Sequence, residues 1–171
     1  GIPSNEELKD IMRIADENNI SSLDTASSYG KSEERIGKIS KKAYKIITKI
    51  GNFKKGNNLN NQIQKSLINL KKHSIYGCMF HNGSELIKNK NLWNELSEYK
   101  KSGVIKKIGY SIYEPQVLLE LLDSKLLPDI IQVPYSILDR KFEEYFNLLK
   151  NFNVEIHIRS VFLQGLYFKS I

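Results

Sequence analysis

Four residues of this sequence have the types and spacing that proton transfer requires. Asp24 follows the apolar run Ile20 to Leu23, Lys49 follows Tyr44 to Thr48, and His81 follows Ile75 to Phe80. Each stands where a short extended segment ends. Tyr29 lies five residues past Asp24, before a helical pattern that begins near Ser32. A tyrosine hydroxyl, with an ordinary pKa of about 10, serves as a proton donor near neutrality when a neighbouring cation stabilises its phenolate. Lys49 is the expected cation, Asp24 the carboxylate that keeps it charged and oriented, and His81 the group that hydrogen-bonds a substrate oxygen or assists the proton. Such a set protonates an oxygen as electrons arrive at the attached carbon. No side chain donates those electrons as hydride, so the chemistry calls for a reduced nicotinamide or similar cofactor.

The elements that must position these groups follow from the hydropathy pattern. Six short apolar runs recur: Ile20 to Leu23, Tyr44 to Ile47, Ile75 to Phe80, Val104 to Ile108, Ile130 to Val133 and Val154 to Ile158. Their starts are 24 to 31 residues apart. The intervening segments carry apolar residues three or four apart, as in Leu8, Ile11, Met12 and Ala15, or Ile63, Leu67 and Leu70, which is the stripe of an amphipathic helix. Ser4 with Glu7 predicts a capping box, Pro115 a first helical turn, and Asp139 a cap before Phe142, Tyr145, Phe146 and Leu149. Continuous apolar strands alternating with helices predict an α/β fold with a parallel sheet covered on both faces. The sheet is either open and doubly wound or closed into a barrel. No Gly-rich turn follows a strand in the manner of a dinucleotide-binding fingerprint, which favours the barrel. In a barrel, the ends of all six strands open on one mouth, where active sites are built. A complete (β/α)8 barrel has eight strands, so two are unaccounted for.

Composition narrows the function classes. The chain has 171 residues, a formal charge of +7 and 40% hydrophobic residues, as in a packed globular protein. No stretch approaches a membrane span and the first residues do not read as a targeting segment, so the expected setting is cytoplasmic with no membrane partner. Cys78, the single cysteine, has no internal disulfide partner, and with three histidines the chain has too few soft ligands for a zinc cluster, so no metal is expected. Of the 26 cations 22 are lysines spread along the chain, unlike the clustered arginines and aromatics of a phosphate-tracking groove; no nucleic-acid partner is expected. Cys78 reads as a packed thiol, His73 and His157 as structural, and Gly30 and Gly37 as a turn and a close helix contact.

The segment Leu23-Asp24-Thr25-Ala26-Ser27-Ser28-Tyr29-Gly30-Lys31-Ser32-Glu33 resembles the D-T-A-x-x-Y-G-x-S-E motif of the aldo-keto reductase family. Ile47-Thr48-Lys49 resembles the strand that ends in that family's active-site lysine, and Phe80-His81-Asn82 its L-H-N segment. Gly103 to Ser111 is similar to the family's G-K-I-R-x-I-G-V-S segment, and Ile131 to Tyr135 to its Q-x-x-Y segment. The resemblance covers nearly the whole chain in order. It implies a catalytic tetrad of Asp24, Tyr29, Lys49 and His81, NADPH as hydride donor, and a small-molecule aldehyde or ketone as substrate. It further implies that Ser111 and Gln132 hold the nicotinamide carboxamide, that Arg159 covers the ring, and that Ser160, Phe162 and Gly165 approach the pyrophosphate. The chain departs from the family's pattern at Ile112, where Asn is common, and at Arg159, where an aromatic is frequent; a guanidinium also stacks on a flat ring.

Aligned with the family, residues 1–171 form one incomplete domain, a partial TIM (β/α)8 barrel lacking the first and last strands and running from the first barrel helix through the seventh strand. The stretch Arg159 to Gly165 and the D-T-A-S-S-Y and Phe80-His81-Asn82-Gly83 segments look like members associated with surface-polysaccharide or nucleotide-sugar gene clusters. Two other readings stand beside the reductase: a non-catalytic NADP-binding regulatory or interaction protein, and an inactive truncated barrel. Sequence alone leaves the oligomeric state and the carbonyl compound open.

Overall fold

The computed structural model describes residues 2–39, 43–53 and 57–168. Helix α1 (Asn5–Glu17) starts as its sequence predicts: the Glu7 N–H donates to the Ser4 hydroxyl and the Ser4 N–H donates to the Glu7 carboxylate. The chain continues through β1 (Ser22–Asp24), α2 (Ser32–Ile39), β2 (Lys45–Ile50), α3 (Leu59–Leu70), β3 (Ile75–Phe80), a short α4 (Ser84–Lys88), α5 (Asn91–Lys101) and β4 (Ile105–Ser111). It ends with α6 (Pro115–Asp123), β5 (Ile130–Pro134), a 3-10 turn over Glu143–Tyr145 leading into α7 (Phe146–Asn151), β6 (Glu155–Arg159) and a 3-10 segment over Leu163–Phe168.

All six apolar runs become strands, paired parallel in sequence order from β1 to β6. Five end beyond the run that reveals them, β1, β5 and β6 by one residue, β2 past Ile47 to Ile50 and β4 past Ile108 to Ser111. Lys49 therefore sits within a strand rather than after one, and Asp24 is the last residue of β1 rather than its successor. The reason is the alternation of a pleated strand. Inward positions turn polar near the mouth while the backbone ladder runs on, so hydropathy stops before the hydrogen bonds do.

Asp139 does not cap a helix. Instead the Ser136 hydroxyl accepts the N–H groups of Leu138 and Asp139, and Arg140 binds Glu143 through two nitrogens, so the chain spends residues 136–145 in turns and α7 begins only at Phe146. The serine three residues upstream makes a local turn that fixes the backbone ahead of Asp139, so no helix starts there for the aspartate to cap.

Two layers of apolar contact hold the sheet. Outward residues such as Ile46, Ile50, Cys78, Phe80, Ile108, Tyr110, Ile131 and Val133 are buried under the helices, together with Ile63, Leu67 and Leu70 of α3 and Leu118 and Leu121 of α6. Inward, Ile47, Met79 and Ile130 form a smaller cluster. Burial raises the Cys78 thiol pKa far above its ordinary value, which keeps the group unreactive.

The sheet curls into a barrel wall. In a flat sheet β1 and β5 would stand about four strand spacings apart, roughly 19 Å. Yet Gln132 Nε2 of β5 donates to Asp24 Oδ1 of β1 at 3.2 Å, and the Tyr76 hydroxyl of β3 donates to Glu155 Oε2 of β6 at 2.6 Å. β1 and β6 are the ends of this sheet, and both are more exposed than the strands between them.

The interior is polar at both ends. At the end where the strands begin, Glu155 accepts hydrogen bonds from Tyr76 and Lys107 and lies 2.7 Å from His157 Nε2. Burial alone would raise the Glu155 carboxyl pKa, but His157, Lys107 and Tyr76 outweigh it and hold the value at about 2. This depressed pKa contributes stability that is present above the unfolded value of about 4.3 and is lost as pH falls towards 2. Melting curves recorded between pH 6 and pH 2.5 are expected to show Glu155→Gln destabilised at pH 6, with the gap to the wild type closing as pH drops. A constant gap would show that the carboxylate's charge is not what the network uses.

Close packing also sets one backbone requirement. A Cβ on Gly109 of β4 would stand 1.6 Å from the Ile130 carbonyl oxygen of β5, against backbone that has no room to yield. Gly109→Ala is expected to cost roughly 3 kcal/mol, seen as a fall of about 6–12 °C in melting temperature.

Candidate active site

Asp24, Ser111 and Arg159 end their strands, Lys49 is the penultimate residue of β2, Gln132 stands at the middle of β5 in register with Ser111, and His81 follows directly on β3. Lys49 is 1% exposed, and its ammonium donates to both oxygens of Asp24, at 2.6 and 2.5 Å, and to the Thr25 carbonyl at 3.1 Å. Burial lowers the Lys49 pKa; Asp24 opposes that shift and Arg159 adds to it. A buried ammonium with its hydrogen bonds filled is the arrangement that makes such burial tolerable.

The loop carrying Tyr29 is an extension of the β1–β2 ladder. The Thr25 N–H donates to Ile47 O and the Ser27 N–H to Lys49 O, both at 2.9 Å, which carries the chain across the mouth. The Ser32 N–H then donates to Tyr29 O, and Gly30, at φ +56°, takes the left-handed conformation that turns the chain into α2. Tyr29 is half-exposed, its ring edge-on to His81 at a centroid distance of 5.6 Å and 5.5 Å from Lys49 Nζ. The four residues singled out by sequence thus meet at one place.

Their electrostatics differ from the sequence expectation in one respect. The Tyr29 pKa is raised, by burial first and then by Asp24 and Tyr113, with Arg159 opposing. Lys49 does not bring it down. The ammonium is bound through two hydrogen bonds to Asp24, so the tyrosine faces a neutralised pair rather than a free cation. His81 is held below the ordinary histidine value by burial and by the charges of Lys49 and Arg159, against Asp24 and Glu85, and is neutral at pH 7. Its Nδ1 lies 3.1 Å from Ser28 Oγ.

Ser111 and Gln132 are paired in register on β4 and β5, both buried and inward-facing, and the Gln132 amide also reaches Asp24. Arg159 ends β6 with its guanidinium 3.8 Å from the Tyr113 ring centroid. Its Nη2 and Nη1 make contacts of 3.4 Å to Ile112 O and Ser160 Oγ, and its buried Nε has no partner. Ser160 follows at φ +62°. Phe162 and Gly165 stand farther along: Phe162 packs on Phe168 and the Gly165 N–H donates to Phe162 O, so their contacts fall within that segment. The structure thus gathers eight of the ten residues at the mouth and leaves Phe162 and Gly165 outside that cluster.

Sequence reasoning overlooked two residues. Ser28 bonds the histidine, and Tyr113 carries the guanidinium; a tyrosine two residues beyond Ser111, past the end of an apolar run, was the available signal for Tyr113. Among the described residues, no group of His, Cys, Asp and Glu is arranged to hold a metal, and no helix is long and apolar enough to cross a membrane.

Comparison with known proteins agrees with this arrangement. The model of the Aldo/keto reductase family matches residues 2–171. The chain is 29% identical to the uncharacterized oxidoreductase YqkF of Bacillus subtilis, over 97% of this chain and 59% of that protein. Among solved structures it resembles the holo form of aldo-keto reductase AKR11C1 from Bacillus halodurans, at 28% identity and a TM-score of 0.83, covering 95% of this chain and 60% of that one. It also resembles a Gox0644 variant solved in complex with NADPH, at 20% identity and a TM-score of 0.74, covering 98% and 63%. The chain therefore spans about three-fifths of the length of these relatives. Six parallel strands in a curled wall, a fit to partial (β/α)8 barrels and a family match along almost its whole length lead to one assignment: the chain belongs to the aldo/keto reductase family, a family of oxidoreductases.

Proposed function

We propose that the protein carrying this chain is an NADPH-dependent reductase of aldehydes or ketones, with Tyr29 as the proton donor. The observation that carries this reading is the meeting of Tyr29 and His81 over the buried Lys49 and its partner Asp24 at a single mouth. The residues present fit a nicotinamide cofactor. Ser111 and Gln132, side by side and inward, supply the hydroxyl and amide that a primary carboxamide pairs with, and the unpartnered Arg159 Nε is a donor awaiting an acceptor. Arg159 would cover the ring, and Ser160, Phe162 and Gly165 would face the pyrophosphate, as the family resemblance implies.

When bound, the reduced nicotinamide supplies the hydride that the carbonyl carbon accepts. Tyr29 Oη gives its proton to the carbonyl oxygen, which stays on its carbon and becomes the hydroxyl of the alcohol product. The raised Tyr29 pKa keeps the donor fully protonated at neutral pH. Neutral His81, fixed at Nδ1 by Ser28, offers its other ring nitrogen to the same oxygen. Lys49, locked by Asp24 with its ammonium 5.5 Å from the tyrosine ring centroid, fixes the floor on which the donor stands.

The test is NADPH oxidation by the complete gene product against a panel of aldehydes and ketones. Turnover supports the reductase. Saturable NADPH binding without turnover of any of them points to the non-catalytic binding protein instead.

A further inference from the structure

Four arginines occur in this chain, and three of them have their hydrogen-bonding capacity spent. Arg13 pairs with Glu17 and Asp10, Arg140 is bidentate on Glu143, and Arg35 donates to Pro3 O, Ser4 O and Asn5 Oδ1. Arg159 is different. No carboxylate is bonded to it among the described residues, its two contacts are long, and its Nε is buried without a partner. Its guanidinium is held by its face, at 3.8 Å from the Tyr113 ring centroid. The neighbouring cation at the mouth, Lys49, is neutralised by Asp24. Arg159 is therefore the uncompensated charge of the site.

We propose that Arg159, held flat by Tyr113, discriminates between the redox states of the nicotinamide cofactor, its fixed positive charge favouring the neutral reduced ring over the cationic oxidised ring. This inference rests on the nicotinamide-dependent reading above and adds two roles to it: Arg159 sets which form binds, and Tyr113 positions Arg159. Any redox group standing over Tyr29 and His81 lies in the field of this guanidinium, because the same charge already bears on Tyr29, Lys49 and His81. In a partly water-excluded mouth, a full positive charge gained by the ring meets a fixed positive charge to which no carboxylate is bonded among the described residues. The reduced form is then held and the oxidised form expelled, which speeds product release at the end of each turnover.

Dissociation constants for NADPH and NADP+, measured by calorimetry on the complete gene product, test the inference. The wild type is expected to bind NADPH at least about tenfold more tightly than NADP+. Arg159→Gln is expected to bring that ratio close to one, chiefly by tightening NADP+, while Arg159→Lys keeps much of it. Tyr113→Leu, at an exposed position where folding is not at stake, is expected to give an intermediate ratio as the guanidinium loses its support. A wild-type ratio near one, or a ratio unchanged in both Arg159→Gln and Tyr113→Leu, overturns the inference and leaves the reductase reading standing. Failure of the wild type to bind either nucleotide overturns both.

Discussion

Tyr29→Phe is expected to lower turnover by at least about a hundredfold while leaving the NADPH dissociation constant within about twofold of wild type. The magnitude is that of losing a positioned general acid, typically 10²–10⁴ in rate. The separation of the two effects comes from geometry. The ring is half-exposed and edge-on to His81, so removing one oxygen opens no cavity, and the loop that carries it is held by backbone bonds to β2 rather than by the phenol. The pH profile sharpens the test. Burial and Asp24 hold the hydroxyl pKa above its ordinary value, so the donor stays protonated through the neutral range and its alkaline loss of function is expected at higher pH than an ordinary tyrosine would give. Single-turnover kinetics with an aldehyde of established reactivity would measure this. Wild-type rates in the phenylalanine variant would remove Tyr29 from the proposed chemistry and leave His81 as the remaining donor at the mouth.

Asp24→Ala is expected to be damaging in a different way. Lys49 is 1% exposed and donates two of its three hydrogen bonds to Asp24, so the substitution leaves a buried ammonium with only the Thr25 carbonyl. Breaking a buried pair from one side costs roughly 3–5 kcal/mol, and the lower end applies here because Asp24 itself is 40% exposed and water can reach the gap. Asp24 also accepts the Gln132 amide from across the barrel, so the same change loosens the contact that draws β5 towards β1. Denaturant unfolding of Asp24→Ala and of the double variant Asp24→Ala/Lys49→Met distinguishes the causes. With the charge removed as well, most of the lost stability is expected to return, whereas turnover is expected to stay low in both. If the double variant is no more stable than the single one, the cost lies in the lost Asp24 contacts and not in the stranded cation.

The local order of this chain was legible from its residues. Apolar runs at regular spacing marked all six strands, because a strand covered on both faces needs consecutive apolar residues whatever surrounds it. Ser4 with Glu7 and Pro115 marked helix starts, because a cap is decided by atoms a few residues apart. Asp139 failed because an equally local group, Ser136, set a turn of its own over Leu138 and Asp139, and no helix begins there. Asp24, Tyr29, Lys49 and His81 could be chosen because proton chemistry restricts residue types and because strand ends are visible as the edges of apolar runs.

Tertiary structure decided what depends on distance across the barrel. The curl that brings Gln132 to Asp24 and Tyr76 to Glu155 unites residues 108 and 79 positions apart in sequence, and no periodicity encodes that approach. The charge state of the mouth was settled there too. Sequence supplied one ammonium and one carboxylate near a tyrosine, but only the fold showed that the pair satisfies itself, leaving Tyr29 raised rather than lowered and Arg159 as the free charge. Tyr113 gained a role only once β4 and β6 placed it against the guanidinium. Residue type fixes which groups are able to ionise or stack, whereas the energy of doing so varies with separation and burial, quantities that exist only after the strands have closed around a common interior.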